Sequence, residues 1–396
     1  IVPVFIHAPA EAAPWQPGAA STGGLHQSLV VLARELQALG SPLIVRSGRS
    51  ITELERIVEE TDAGAVYWNR LYEPAIIARD QAIRAELSGR NIESRDFNAA
   101  LLADPDRVRS QSGTPFKVFT PFWRSVFAGL DHIAPDASPT RLAGVTGLES
   151  LEIGELELLP TLGWDKAFYE HWTPGEHGAH EQLEQFVESA IGDYADARNR
   201  PDQRGTSRLS PHLHFGEVSP RQVVWATRAA TERHAAFDLG AEKFLAEIGW
   251  REFAHHLLVH FPHTVEEPLR ENFGQFPWRE IEEPLVRDSV DRDYAAWRDG
   301  NTGIPLIDAG MRELWHTGWM HNRVRMVVAS FLTKNQLISW HAGARWFWDT
   351  LVDADLASNT LGWQWTAGCG ADAAPFFRIF NPVRQGEKFD PDESYI

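Results

Sequence analysis

Asp353-Ala-Asp-Leu-Ala-Ser-Asn-Thr-Leu-Gly-Trp-Gln-Trp365 sets two carboxylates, a side-chain amide and two tryptophans on about three helical turns. Its opening imitates a calcium loop, but Ser358 stands where the loop's glycine belongs and Gln364 where its final glutamate belongs. Calcium is therefore rejected. Three other stretches share this mixture. Thr317-Gly-Trp-Met-His-Asn-Arg-Val-Arg-Met326 brings Asn322, Arg325 and Met326 within little more than one helical turn. Trp250-Arg-Glu-Phe253 follows Glu247 at helical spacing. Gly205-Thr-Ser-Arg-Leu-Ser-Pro211 puts hydroxyls and backbone amides beside an arginine, a composition suited to a pyrophosphate.

Around these stretches lie 396 residues, 43% hydrophobic and 23% charged, an ordinary globular balance that excludes a largely disordered chain. A single cysteine, Cys369, rules out a disulfide framework, an iron–sulfur cluster and a cysteine-built zinc site. No apolar run approaches bilayer length and no charged-then-apolar leader opens the chain, so a soluble, cytoplasmic protein is expected. The net charge of −18 repels polyanions as a whole. Locally the sign reverses. From Arg198 to Arg233 seven arginines face three acids, and from Ala309 to Phe347 five cations face Glu313 alone. Charge patches of this size occur on many surfaces, so they permit a phosphate-tracking groove without requiring one.

Two styles of patterning divide the chain. Ile1–Ile6, Pro42–Val45, Ala65–Trp68 and Ser94–Phe97 read as strands. Leu25 to Leu39, Ile51 to Glu60 and the stretch through Arg79 and Ala82 read as the helices between them. This alternation implies a parallel, doubly wound sheet over 1–103, and because the chain opens inside a strand, a further strand and helix are expected before it. Residues 104–173 are proline-rich and weakly periodic, and read as an interdomain linker draped over both domains. From 174 to 396 helical spacing dominates, as in Phe244-Ile248-Phe253-Leu257, and thirteen of the sixteen tryptophans fall from Trp164 onward. The expected class is α/β plus all-α.

Three motifs carry little weight. His212-Leu-His214 with Glu217, and Glu252-Phe-Ala-His255-His256, have the spacing of metal ligands, but sixteen histidines make such coincidences common. Gly368-Cys-Gly370-Ala-Asp-Ala373 imitates a dinucleotide fingerprint without the strand that should precede it.

Taken in order, the four strong stretches resemble the flavin-binding helical domain of the DNA photolyase and cryptochrome family, from about Tyr194 to Asp390. The resemblance implies a U-shaped FAD buried among helices and light-driven repair of ultraviolet-damaged pyrimidines in DNA. By the same resemblance, Tyr194 and Thr206, Ser207, Arg208, Leu209 and Ser210 hold the phosphates and ribityl chain. Asp353, paired with Arg325, and Asp355 meet the isoalloxazine ring, and Asn359 faces its redox-active nitrogen. The lesion pocket uses Glu247, Trp250, Asn322, Met326 and Trp365, with Arg198 and Arg323 on phosphates. Trp363 and Trp340 match the first two members of the tryptophan chain that reduces the flavin. The third usually stands about ten residues before the position of Trp297; Arg287 is there, and Trp278 is chosen across an insertion of about nine residues. Trp297, Trp346 and Trp348 read as packing residues.

Enzymes of the family that repair the six-four photoproduct carry histidines where this chain has Asn322 and Met326, so the cyclobutane pyrimidine dimer is the expected substrate. Plant-type cryptochromes carry aspartate where Asn359 stands, although Arg345-Trp-Phe-Trp-Asp-Thr-Leu-Val-Asp353 resembles their side of the family. A class III photolyase fits both observations, with a blue-light receptor that signals through a protein partner as the alternative. Tyr72-Glu73 is followed by Pro74, Ala75 and Ile76 in place of the folate-type asparagine and glutamate. Methenyltetrahydrofolate in another pose, a deazaflavin or no antenna all remain open. A monomer acting on damaged DNA is expected, with neither a metal nor a membrane involved.

Overall fold

Each strand pair follows from its connection. In the computed structural model, which describes residues 1–130, 134–281, 287–373 and 377–396, β1 (Val4–His7) is joined to β2 (Ile44–Ser47) through α1 (Ala19–Ala38). A helical crossover returns the chain in the same direction, so β1 and β2 pair in parallel, Val4 opposite Ile44 and His7 opposite Ser47. Then α2 (Ser50–Thr61) leads to β3 (Ala65–Asn69), and α3 (Pro74–Gly89) carries the chain to β4 (Glu93–Phe97), again in parallel. All four expected strands and the helices between them are present. The single sheet expected from their alternation is instead two separate two-stranded pairs among the described residues.

The segment after β4 differs from a plain linker. Phe119–Ala128 forms α4, whose Pro121 falls in the first helical turn, where a missing N–H breaks no helix bond. Phe122 and Val126 on α4 are buried in the core of the helical part. Farther on, Leu156 and Leu158 pack with Leu29 and Val45 of the α/β part. The segment thus touches both regions.

The helical part comprises α5 (Glu176–Gln185), α6 (Tyr194–Ala197), α7 (Ser210–Phe215), α8 (Pro220–Arg233), α9 (Asp238–His260), α10 (Arg287–Arg298), α11 (Pro305–Thr317), α12 (Asn322–Ser330), α13 (Trp340–Thr350), α14 (Leu356–Ala367) and α15 (Pro382–Phe389). Buried residues occur around much of α9, from Gly240 to Leu258, and not along one stripe, which marks it as a central helix. It packs against α14, α4, α6 and α8. Close approach requires glycine at two points. A Cβ at Gly249 would enter the Trp123 ring of α4, and one at Gly343 of α13 would enter the Trp363 ring of α14. No helix among the described residues is long and apolar enough to cross a membrane.

Candidate functional site

The two acids expected on one helix precede it. Asp353 lies in the loop after α13, and Asp355 is the N-cap of α14, its Oδ1 accepting the Ser358 N–H at 2.7 Å. Asp353 is buried and takes the Arg325 Nη2 at 2.9 Å, while Arg325 Nε donates to the Met320 carbonyl at 2.7 Å. On the other oxygen of Asp355 sits His255 of α9, with Nε2 3.3 Å from Oδ2. Burial alone would raise the Asp355 carboxyl, yet the His255 charge and hydrogen bonds hold it well below the usual carboxylate range.

One turn into α14, Asn359 donates from Nδ2 to the Ala344 carbonyl of α13 at 3.0 Å. So anchored, it keeps Oδ1 as an acceptor and one remaining N–H as a donor for a ligand.

Residues 205–210 are held tightly. A Cβ at Gly205 would overlap the Ala197 carbonyl. Arg208 adopts φ 51°, its guanidinium lies 4.6 Å from the Trp319 ring, and its buried Nε has no protein partner. Trp319 Nε1 donates to Ser210 Oγ at 3.3 Å, and the Leu209 N–H reaches Ser207 Oγ at 3.4 Å. A cation with an idle buried donor beside hydroxyls is a donor set for an anion, and two carboxylates and an amide acceptor suit ring N–H groups. These residues fit a flavin dinucleotide.

Of the expected lesion residues, Glu247 and Trp250 lie on α9 and Asn322, Arg323 and Met326 on α12, while Trp365 lies on α14. Glu247 is ion-paired with Arg198 at 2.8 Å, and Arg198 lies 5.5 Å from the Tyr194 ring. Burial pushes the Glu247 carboxyl up against the pull of Arg198 and Arg323. Arg323 donates to Asn199 Oδ1 at 2.5 Å and touches Met326 Sδ at 3.9 Å. Asn322, the first residue of α12, is exposed. Between them, His321 caps α12 through Nδ1, its pKa lowered to about 4 by burial and by Arg208, Arg323, Arg325 and Arg198. The two pocket tryptophans have partners beyond the motifs. Trp250 stacks on Phe119 of α4 at 3.8 Å, and Trp365 on Phe380 at 6.2 Å.

Trp363 and Trp340 are both buried, and Trp340 lies one turn before Gly343, which the Trp363 ring covers. Trp278 is half-buried in the same cluster, brought alongside the entry to α13 by the bridge between Arg279 and Ile338. The side chain of Arg287 lies outside the described residues. Trp297 is fully buried, donates to the Val328 carbonyl at 3.0 Å and meets Trp363 edge-on at 6.2 Å.

The histidine motifs resolve into pairs. His212 Nδ1 and Glu217 Oε2 form a buried contact of 2.6 Å, with Ser28 and the Gly175 N–H also on Glu217. Glu252 accepts the Leu102 N–H at 2.8 Å, and His256 Nε2 accepts the Phe116 N–H at 3.0 Å. Among the described residues no group of three or more His, Cys, Asp or Glu could hold a metal. Sequence patterning missed the pairing of His255 with Asp355 and the stack of Phe119 on Trp250; neither leaves a local signal.

Comparison with known proteins shows the family. A family model described as DNA photolyase matches residues 1–140, and one described as the FAD binding domain of DNA photolyase matches residues 244–396. The chain belongs to the DNA photolyase and cryptochrome family, and FAD is its cofactor. More particularly, it is 44% identical over 398 residues to a deoxyribodipyrimidine photo-lyase of Agrobacterium fabrum, covering 100% of this chain and 80% of that one. Cryptochrome-1 of Arabidopsis thaliana is 37% identical over 407 residues, covering 100% of this chain and 58% of the relative. A crystal structure of a bacterial class III photolyase from Agrobacterium tumefaciens matches with a TM-score of 0.92 at 44% identity, covering 100% of this chain and 79% of that one.

Proposed function

We propose that this protein is a class III photolyase that splits cyclobutane pyrimidine dimers in DNA under blue light. The observation that carries the proposal is the pocket of Glu247, Arg198, Arg323, Asn322 and Met326, which has hydrogen-bond partners for a carbonyl edge but no imidazole at 322 or 326. Bound and reduced, FAD supplies the light-excited electron that opens the cyclobutane ring and is afterwards returned.

The protein's own groups do the rest. Trp250 and Trp365 wall the flipped-out lesion with apolar surface, and Glu247 and Asn322 bind its polar edge. Arg198 and Arg323 meet the backbone phosphates, so binding weakens as salt rises despite the net charge of −18. Thr206, Ser207, Arg208, Leu209, Ser210 and Tyr194 hold the phosphate and ribityl end of the cofactor. Arg325 fixes Asp353, and Asp353 and Asp355 accept from the ring. Asn359, held by Ala344, can accept from or donate to the redox-active ring nitrogen, so it can hold the reduced form. Trp363, Trp340 and Trp278 lead from the buried site to the surface. Residues 1–103 form the α/β antenna domain, 104–173 the connection and 174–396 the catalytic domain of a cytoplasmic monomer.

The test is chromatography of oligonucleotides carrying thymine dimers after illumination of the reduced holoprotein. Dimers are expected to disappear while six-four photoproducts persist. Persistence of the dimers with FAD bound would overturn the proposal in favour of a receptor, which the likeness to Cryptochrome-1 supports.

A further inference from the structure

Two acids of one loop are held by different kinds of cation. Asp353 is held by a guanidinium, which keeps its charge at every pH the protein meets. Asp355 is held by an imidazole, which does not. The hydrogen bonds around that imidazole fix how many protons it needs. Nδ1 of His255 lies 2.9 Å from the Arg251 carbonyl, which can only accept, so Nδ1 carries a hydrogen. Nε2 faces the Asp355 carboxylate, which also only accepts, so Nε2 must carry one too. The ring is therefore an imidazolium. It is buried and meets the Tyr72 ring edge-on at 6.0 Å, so it also touches the α/β part of the chain.

We propose that His255 is the positioning residue for Asp355: as an imidazolium it clamps the carboxylate that caps α14, and the helix bearing Asn359 is seated firmly only while the ring holds both protons. The proposal rests on the flavin site described above and adds a pH dependence to it. The groups facing the pair are Arg251 and Glu252 on α9, Tyr72 and Glu73 at the start of α3, and His214 on α7. Burial disfavours the His255 charge, but the Asp355 charge and hydrogen bond outweigh it and leave the pKa raised. Burial raises the Glu73 carboxyl, with Asp355 adding to it and backbone hydrogen bonds and His255 opposing it. A histidine raised on folding stabilises the fold below its ordinary pKa and ceases to do so as pH climbs through the raised value. Loosening is therefore expected on the alkaline side.

The experiment compares the purified flavoprotein with His255→Lys, His255→Asn and Asp355→Asn. Thermal midpoints by circular dichroism and FAD retention by fluorescence titration are followed from about pH 6 to about pH 9, across and above the ordinary histidine range. The wild type is expected to lose midpoint as pH rises, with its FAD dissociation constant increasing in step. Asp355→Asn keeps a good helix cap but has no charge to clamp, so its profile is expected to be flat. His255→Lys is expected to move the loss to higher pH. If His255→Asn fails to fold, the other two variants still decide. Coinciding wild-type and Asp355→Asn profiles would overturn the clamp while leaving the flavin site standing. A step in the wild-type melt without FAD binding at any pH would leave the clamp standing and overturn the flavin site.

Discussion

The α/β part and the helical part differ in how exposed their charges are. In the first, most ion pairs keep an exposed or half-exposed cation: Arg90 spans Glu55, Glu59 and Glu86, Arg56 reaches the buried Glu53, and Arg84 and Arg70 share Asp96, with the buried Arg46 on Glu60 the exception. In the second, the pairs of the candidate site include buried members: Arg325 holds the buried Asp353, and the buried His255 holds Asp355, while Arg198 and Glu247 are both half-buried. Exposed pairs contribute little and fade with salt, whereas a buried charge that loses its partner is heavily penalised. Charge on the α/β surface is therefore largely dispensable, and the buried charge of the helical part is not.

Breaking Arg325 should show this most clearly. Arg325→Met leaves the buried Asp353 carboxylate without its cation and is expected to destabilise the protein by about 3–5 kcal/mol, the usual range for such a loss. Urea midpoints would show it, and a shift no larger than that of a surface variant would erase the distinction between the regions.

A smaller effect is expected at acid pH, where α9 grips the linker. His256 must stay neutral at Nε2 to accept the Phe116 N–H, and burial, with His260 and Arg109 adding, lowers its pKa to about 3. The unfolded chain takes up that proton near the ordinary histidine value while the folded chain refuses it, so stability falls as pH drops from about 6.5 toward 3. His256→Phe removes this contribution, and a flatter melting profile across that window is the expected signature. An unchanged slope would mean that other groups govern acid sensitivity.

The smallest effect belongs to Arg90. Arg90→Ala removes exposed contacts with three glutamates and is expected to cost less than about 1 kcal/mol, vanishing in high salt. A salt-independent loss would show that the α/β surface is more tightly organised than its exposure suggests.

Legibility in sequence followed the same boundary between local and distant. The four strands, the helical stretches and the four strong motifs are local patterns, and each was readable from spacing. The segment after β4 was not read as helical, because its prolines look like loop punctuation; Pro121 sits where a helix tolerates it. The split of the strands into two pairs depends on which edges meet, and alternation says nothing of that. Spacing puts Asp353 and Asp355 on a helix that begins only at Leu356, since capping geometry blurs such boundaries. The residues joining Asp355 to His255, or Trp250 to Phe119, are about a hundred or more positions apart and carry no common period.

The many duties of α9 have a practical consequence for protein engineering. Along 23 residues, roughly 35 Å of rigid rod, it offers Glu247 to Arg198, Arg251 to the Ala100 carbonyl, Glu252 to the Leu102 N–H, His255 to Asp355, His256 to the Phe116 N–H and His260 to the Pro105 carbonyl. A chimera that exchanged the α/β part between relatives with its seam after residue 116 would cut straight through these bonds. The seam belongs at the end of β4: residues 100–116 then travel with α9, as one module inherited from a single parent.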